Sequence, residues 1–190
     1  MKSIRQLTVL FLCTLVLFGF LYPVLIWGIG RLTPHNANGR PITLNGRIVG
    51  YENIGQLFTG SDYFHGRPSA SDYNADPSAA TNYGPTNPIL LKDIHERIDT
   101  LISENQGITA KNIPSDLVTS SGSGLDPDIS PQGAYLQVAR VAKNRGLPES
   151  KVLDLVKQHI KGPLFGFLGP SRVNVLKLNI ALDKVKPESP

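Results

Sequence analysis

The sequence predicts an α+β fold in which one N-terminal transmembrane helix precedes a single globular domain. Residues 7–30 form an apolar run without a charged side chain, and the rest of the chain mixes charged, apolar and turn-forming residues. In that remainder a β-hairpin pattern comes first, a long loop and three helical patterns follow, and a strand with a short helix comes last. This order is typical of α+β domains, because helices and antiparallel strands are segregated along the chain.

Residues 7–30 are long enough to cross a membrane as a helix. At about 1.5 Å per residue they extend over roughly 36 Å, whereas the hydrocarbon core of a bilayer is about 30 Å thick. Tyr22 and Trp27 lie near the end of the run, where aromatic rings favour the membrane interface. A cleaved signal peptide is the alternative, but its apolar region is shorter and ends in a small-x-small site that this run lacks.

The charges around the predicted span do not fix its orientation. Lys2 and Arg5 precede it, and Arg31, Arg40 and Arg47 follow it. The positive-inside rule therefore does not favour a cytoplasmic N-terminus. The only cysteine lies within the span, so the domain of residues 34–190 has no thiol, which suits an oxidising exterior.

The predicted domain begins with a β-hairpin and a long ordered loop. Asn45 and Gly46 both tolerate a positive φ, so they form the turn between strands at residues 41–43 and 48–51. Residues 59–88 are rich in prolines, glycines and aromatic side chains and show no helical or strand pattern. Thirty residues of this kind are unusual inside a compact domain and often form an interaction surface.

Three main helices follow the loop, and each begins at a capping residue or a proline. The first has Asn87 as its cap and ends before Gly107, and the second has Ser130 as its cap and ends at Gly146. The third extends from about Pro148 to Ile160. We expect the second helix to bury Tyr135, Val138, Ala139 and Ala142. Residues 172–178 are then predicted to be a strand, with Asn179 as the cap of a short last helix.

The sequence contains none of the familiar catalytic or metal-binding patterns. The single cysteine excludes an internal disulfide framework and a cysteine-rich zinc site. The chain has no G-x-x-x-x-G-K-[ST] phosphate loop and no G-x-S-x-G nucleophile elbow. Its four histidines are not at metal-ligand spacing. The sequence therefore predicts no catalytic residue, no metal site and no nucleic-acid partner, and an anchored hydrolase would lack a nucleophile–base pair.

The segment before the second helix is the most unusual in composition. Small hydroxylated residues and glycines form a Ser/Gly loop, which is followed by two carboxylates. Such a loop can cradle a phosphate, whereas the carboxylates would repel a phosphate and attract a cation. The alternative is a tight turn that leads into a capped helix. The candidate ligand residues are Ser120, Ser121, Gly122, Ser123 and Gly124, and the candidate cation-attracting residues are Asp126 and Asp128.

Charge is segregated along the domain. Residues 51–130 carry a net charge of −7, and residues 131–190 carry a net charge of +6. Two solvated faces would explain this pattern. Alternatively, the acidic part concentrates cations near a pore or docks a basic partner, and the basic part faces lipid headgroups.

Five segments, in this order after one span, resemble a known family. The chain closely resembles the C subunits of bacterial Kdp potassium-transporting P-type ATPases over nearly its whole length. The segments that carry the resemblance are residues 53–58, 63–70, 84–88, 119–131 and 172–176. The resemblance implies a non-catalytic accessory subunit of a high-affinity K⁺ uptake complex, needed for assembly and stabilisation.

The resemblance also implies partners and a location. The partners are a channel-like K⁺-binding subunit, a P-type ATPase subunit, a small membrane subunit and the lipid bilayer. The protein is expected in the bacterial inner membrane as a single-pass protein, with a cytoplasmic N-terminus and a periplasmic domain near the outer mouth of the K⁺-selecting subunit. K⁺ is the transported ion of the complex.

Members of this family have been described as catalytic chaperones that raise the ATP affinity of the pump subunit. The resemblance therefore implies ATP as a ligand shared with the pump subunit and none tightly bound to this chain. The family's nucleotide-binding signature corresponds here to residues 121–124, and direct contact with ATP through the Ser/Gly loop is the alternative function. It conflicts with the expected location, because ATP is cytoplasmic and an external domain cannot reach it.

Overall fold

A computed structural model describes residues 2–76 and 78–185. The chain forms two units, one up to Arg40 and one from Pro41 onward. The described residues contain six α-helices and five short strands, which confirms the predicted α+β class.

The first unit contains an apolar helix, Ser3–Arg31, which is long and apolar enough to cross a membrane, and a 3-10 turn at Pro34–Ala37 follows it. It consists of α1 (Lys2–Val16), a π-helical turn (Leu17–Leu21) and α2 (Tyr22–Arg31). The wide turn has a local cause, because Pro23 has no N–H and its ring clashes with the carbonyl group four residues earlier. The Tyr22 N–H accordingly donates to the oxygen of Leu17, five residues back. The predicted span, residues 7–30, lies within this helix.

The second unit begins with the predicted hairpin, which the structure confirms. Strands β1 (Pro41–Leu44) and β2 (Arg47–Tyr51) pair antiparallel. Asn45 has φ 51° and Gly46 has φ 76°, so both turn residues are left-handed, as a type I′ turn requires. The described residues between 52 and 87 form no helix or strand, which confirms the predicted long loop.

Glu52, directly after the hairpin, joins it to the rest of the second unit. Its Oε1 lies 2.8 Å from Lys161 Nζ and 2.6 Å from Lys177 Nζ. Hydrogen bonds from these two ammonium groups lower the pKa of Glu52 to about 2. The carboxylate is therefore ionised at neutral pH and holds both lysines.

Three of the predicted helices begin and end close to the expected residues. They are α3 (Pro88–Glu104), α4 (Pro131–Arg145) and α5 (Glu149–His159). The side chain of Asn87 accepts a hydrogen bond from the Ile89 N–H at 2.8 Å, and Ser130 Oγ accepts one from the Gly133 N–H at 3.0 Å. Both contacts satisfy N–H groups that have no partner within the helix.

A small antiparallel sheet and α4–α6 enclose the core. The sheet has the order β3 (Asp128–Ile129), β5 (Arg172–Asn174) and β4 (Ile160–Lys161). The last helix is α6 (Val175–Asp183). The fully buried apolar side chains of this core include Phe64, Ile129, Val141, Val156, Val173, Leu178 and Leu182.

The prediction of a strand over residues 172–178 is wrong after residue 174. Asn174, rather than Asn179, caps the last helix, and its Oδ1 accepts a hydrogen bond from the Lys177 N–H at 3.0 Å. The valines of this segment suggested a strand, but Leu178 and Leu182 are four residues apart and are both fully buried on one helical face. Asn179 lies inside α6 and is itself buried.

The predicted buried face of α4 is only partly correct. Val138 and Ala142 are buried, but Tyr135 is 38% exposed and Ala139 is also exposed. The buried face is rotated because Gln137 and Arg140 point inward. Both polar side chains are hydrogen-bonded to the long loop, which offsets the cost of their burial.

Candidate functional site

The Ser/Gly loop, residues 120–124, lies against the long loop. The Ser121 N–H donates to the carbonyl oxygen of Pro68 at 3.0 Å, and Ser69 Oγ donates to the oxygen of Gly124 at 2.7 Å. Just beyond the loop, the oxygen of Leu125 accepts from the Gly55 N–H at 2.7 Å. These contacts hold both ends of the Ser/Gly loop in place.

Gly124 is required by its backbone and its surroundings. Its φ is 71°, and an added Cβ would lie 2.5 Å from Ser71 Oγ and 2.8 Å from the Ala79 oxygen. Gly122 differs, because a Cβ there would meet no atom within 4 Å. One glycine of the loop therefore serves close packing, and the other is on the surface.

Only part of the Ser/Gly loop is open to a ligand. Gly122 and Ser123 are exposed, whereas Ser121 and Gly124 are buried. Ser121 Oγ has no hydrogen-bond partner in the described part of the chain, and Ser123 Oγ accepts from the Leu125 N–H at 3.1 Å. Nucleotide binding by residues 120–124 stays a prediction.

The two predicted cation-attracting carboxylates each contact an arginine. Asp126 Oδ2 lies 2.9 Å from Arg67 Nη1, and Asp128 Oδ2 lies 3.0 Å from Arg172 Nε. Asp126 Oδ1 also accepts from the Asp128 N–H at 3.0 Å. Burial raises the pKa of Asp128, although the Asn174 amide and Arg172 oppose that effect. Each carboxylate has a guanidinium group close by, and attraction of a cation by this pair stays a prediction.

Next to the Ser/Gly loop, a cleft of about 260 Å³ opens between the long loop and α3. Arg67 connects the cleft to the segment directly after the Ser/Gly loop, because it lines the cleft and forms an ion pair with Asp126. The cleft has a mixed lining, with polar side chains from His65, Tyr73, Arg97 and Glu104 and apolar side chains from Phe58, Leu101 and Leu117.

Two titratable groups of the cleft lining, His65 and Tyr73, are held in their neutral forms. His65 Nε2 donates to the Gly60 oxygen at 2.9 Å, and Nδ1 lies 3.8 Å from Glu104 Oε2. Burial lowers the pKa of His65. The hydrogen bond to Gly60 and the charge of Glu104 act in the opposite direction, but their effect is smaller. Tyr73 donates to the Arg67 oxygen at 2.5 Å, and burial raises its pKa to about 12. Arg67 and Arg97 also line the cleft, together with the carboxylates of Asp72 and Glu104, so the lining offers charged groups of both signs to a polar ligand.

The described residues do not form an evident catalytic or metal centre. None of their hydrogen bonds joins a serine, threonine or cysteine side chain to a histidine ring, as an activated nucleophile requires. No three His, Cys, Asp or Glu side chains come together as a metal-ligand set within residues 2–76 and 78–185.

The side chains that fix the cleft wall were not predicted from the sequence. Arg140, which is only 6% exposed, donates to the carbonyl oxygens of Ser61 at 2.6 Å and Tyr63 at 3.0 Å. Its other nitrogens donate to Asn105 Oδ1 at 3.1 Å and to Gln137 Oε1 at 2.7 Å. The sequence feature that could have revealed Arg140 is the presence of a polar residue within an apolar helical face.

Two amide side chains bind the backbone of the same wall with the pair of hydrogen bonds that a neighbouring strand would make. Gln137 accepts from the His65 N–H at 2.7 Å and donates to the His65 oxygen at 3.2 Å. Asn179 does the same for Phe64, at 2.9 Å and 3.0 Å. Consecutive backbone groups of the long loop therefore have their hydrogen bonds satisfied by helices α4 and α6.

Comparison with known proteins gives one consistent result. The family model described as KdpC, K⁺-transporting ATPase, c chain, matches residues 4–184. A protein of Flavobacterium johnsoniae named potassium-transporting ATPase KdpC subunit is 50% identical over 186 residues, which are 98% of this chain and 100% of the relative. Relatives of the same name from Caldanaerobacter subterraneus and Bacteroides fragilis are 47% and 43% identical, and cover 95% and 98% of this chain and 94% and 99% of their own.

Proposed function

The chain belongs to the KdpC family of K⁺-transporting ATPase c chains, and we propose that it is a non-catalytic accessory subunit of an ATP-driven, high-affinity K⁺ uptake complex. The main support for this proposal is the family match over residues 4–184.

The proposed role is assembly and stabilisation of the complex. Its partners are the channel-like K⁺-binding subunit, the P-type ATPase subunit and a small membrane subunit. In this role the chain raises the ATP affinity of the P-type subunit, as a catalytic chaperone. The apolar helix Ser3–Arg31 supports attachment to the membrane, and the exposed cleft and loop surfaces of the second unit are available for partner subunits.

Co-purification from K⁺-starved cells tests the proposed function. The full chain, tagged at its C-terminus, is extracted in mild detergent, and its partners are identified by mass spectrometry. We expect a channel-like K⁺ subunit and a P-type ATPase subunit in equal amounts with the tagged chain. An unrelated single-span protein with the same tag is the control. Recovery of the chain alone, from cells shown to express both subunits, would refute the proposal.

The second unit is placed outside the cytoplasm in this proposal, with the N-terminus inside. A chain with Cys13→Ala and Gln158→Cys tests the placement, because Gln158 is exposed on α5 and no other cysteine remains. We expect a membrane-impermeant maleimide to label intact spheroplasts as fully as lysed ones. Labelling only after lysis would place the second unit in the cytoplasm.

The alternative function is a nucleotide-binding chaperone that contacts ATP through the Ser/Gly loop. The exposed Gly122 and Ser123 and the unpartnered Ser121 Oγ favour it. It requires a cytoplasmic second unit, so external labelling at residue 158 would contradict it in the membrane-inserted protein.

A further inference from the structure

An ordered turn between β4 and β5 presents large apolar side chains to the outside. Phe165 is 79% exposed and Phe167 is 75% exposed, and Leu164 and Leu168 are 59% and 49% exposed. Leu164 and Leu168 exchange both backbone hydrogen bonds at 2.9 Å, so the turn is closed at its base. Two phenylalanine rings at the tip of a closed turn contribute nothing to the core, and large exposed apolar patches mark interaction sites.

The sequence around the turn is uncharged and is bounded by cations. Residues 162–171 contain no charged side chain, and Lys161 and Arg172 stand at its two ends. Both of these side chains are about half exposed. Apolar rings flanked by cationic side chains are typical of segments at a membrane interface, because the rings enter the acyl boundary and the cations remain among the phosphates.

A chain of contacts links the turn to the first strand of the second unit. Pro41, the first residue of that unit, pairs with Tyr51, and the next residue, Glu52, contacts Lys161 Nζ at 2.8 Å. Lys161 precedes the turn by three residues. The connection from the apolar helix, residues 32–40, extends over about 30 Å at most. The turn is therefore connected, through Lys161 and Glu52, to the hairpin with which the second unit begins.

We propose that the Leu164–Leu168 turn inserts Phe165 and Phe167 into the interfacial layer of the lipid bilayer. This inference rests on the proposed function only in that the helix Ser3–Arg31 spans the membrane. Together with the span, the turn gives the second unit a second point of attachment and fixes its rotation relative to the bilayer plane.

Site-specific photocrosslinking in the full chain tests the insertion. Benzoylphenylalanine, close in shape to phenylalanine, replaces Phe165 in cells that express the whole complex, and the membranes are irradiated before purification. Replacement of Trp27 within the span is the positive control. Replacement of Tyr135, an exposed aromatic residue on α4, is the matched negative control. We expect phospholipid adducts at position 165 severalfold above those at position 135.

Two other outcomes would overturn the insertion. A crosslink that adds the mass of another subunit would show that the turn docks on protein instead. Adducts at position 27 but none at position 165 would show that the turn faces water. Co-purifying subunits are scored in the same sample, so lipid adducts without partners would refute the proposed function and leave the insertion standing.

Tryptophan fluorescence provides a second measurement that uses a smaller change. Trp27 is the only tryptophan, so a chain with Trp27→Phe and Phe165→Trp reports on the turn alone. In lipid nanodiscs we expect quenching by spin-labelled lipids and protection from aqueous iodide. The reverse pattern, with iodide quenching and no effect of the lipids, would overturn the proposal.

Discussion

Replacing Arg140 with alanine is expected to lower the free energy of unfolding of the second unit by about 3–5 kcal/mol. The guanidinium group is 6% exposed and donates to four acceptors. Without it, the buried side-chain oxygens of Asn105 and Gln137 and the partly buried carbonyl oxygen of Tyr63 each lose a donor. The exposed Ser61 oxygen keeps only its hydrogen bond from Asn144 Nδ2 at 3.2 Å. The cleft wall at residues 61–65 would then separate from α4.

Denaturant unfolding of the full chain in detergent, followed by circular dichroism, measures this effect. Lys143→Ala is the matched control, because Lys143 is exposed on the same helix and its removal should change stability by less than about 0.5 kcal/mol. Arg140→Lys keeps the charge but cannot reach all four acceptors, so it should fall between the two. If Arg140→Ala unfolds like the Lys143→Ala control, the guanidinium does not hold the wall.

Replacing Gly124 with alanine is expected to cost roughly 2–4 kcal/mol. A left-handed φ of 71° disfavours alanine, and the new Cβ would lie 2.8 Å from the backbone oxygen of Ala79. Ser71 Oγ, at 2.5 Å, can rotate away, but the backbone oxygen moves only with the long loop. The change therefore separates the Ser/Gly loop from the loop that covers it.

Gly122→Ala is the matched control for this substitution. Gly122 belongs to the same loop, its φ is not left-handed, and its added Cβ would meet no atom within 4 Å. A structural turn predicts that only Gly124→Ala lowers stability and assembly, and that Gly122→Ala leaves the ATP affinity of the complex unchanged. If the Ser/Gly loop contacts nucleotide through its exposed backbone, Gly122→Ala would instead weaken ATP affinity while stability remains the same.

Local signals in the sequence were sufficient for the hairpin and for the beginnings of three helices. Asn45 and Gly46 require a turn whatever surrounds them, and Asn87 and Ser130 cap the helices that follow them. These features depend on residues within three positions of one another, so no knowledge of the packing is needed to predict them.

Features that depend on distant residues could not be predicted in the same way. Asn179 serves Phe64, which is 115 residues away, and its burial on α6 follows from that contact rather than from its own segment. The pairing of Asp126 with Arg67 likewise joins residues 59 apart. The sequence alone therefore does not show which charged side chain lies next to such a carboxylate.

The widened turn at Leu17–Leu21 also changes how the apolar helix meets its surroundings. A π-helical turn takes up about one extra residue, and each residue rotates an α-helix by about 100°. Side chains aligned along one face of α1 are therefore continued in α2 on a face rotated by about 100°. A neighbouring helix packed along the whole apolar helix would contact residues at regular helical spacing before residue 17. After residue 21 the contact positions would have the same spacing but would be shifted along the sequence. Substitution-sensitive positions along the helix should show the same change of phase.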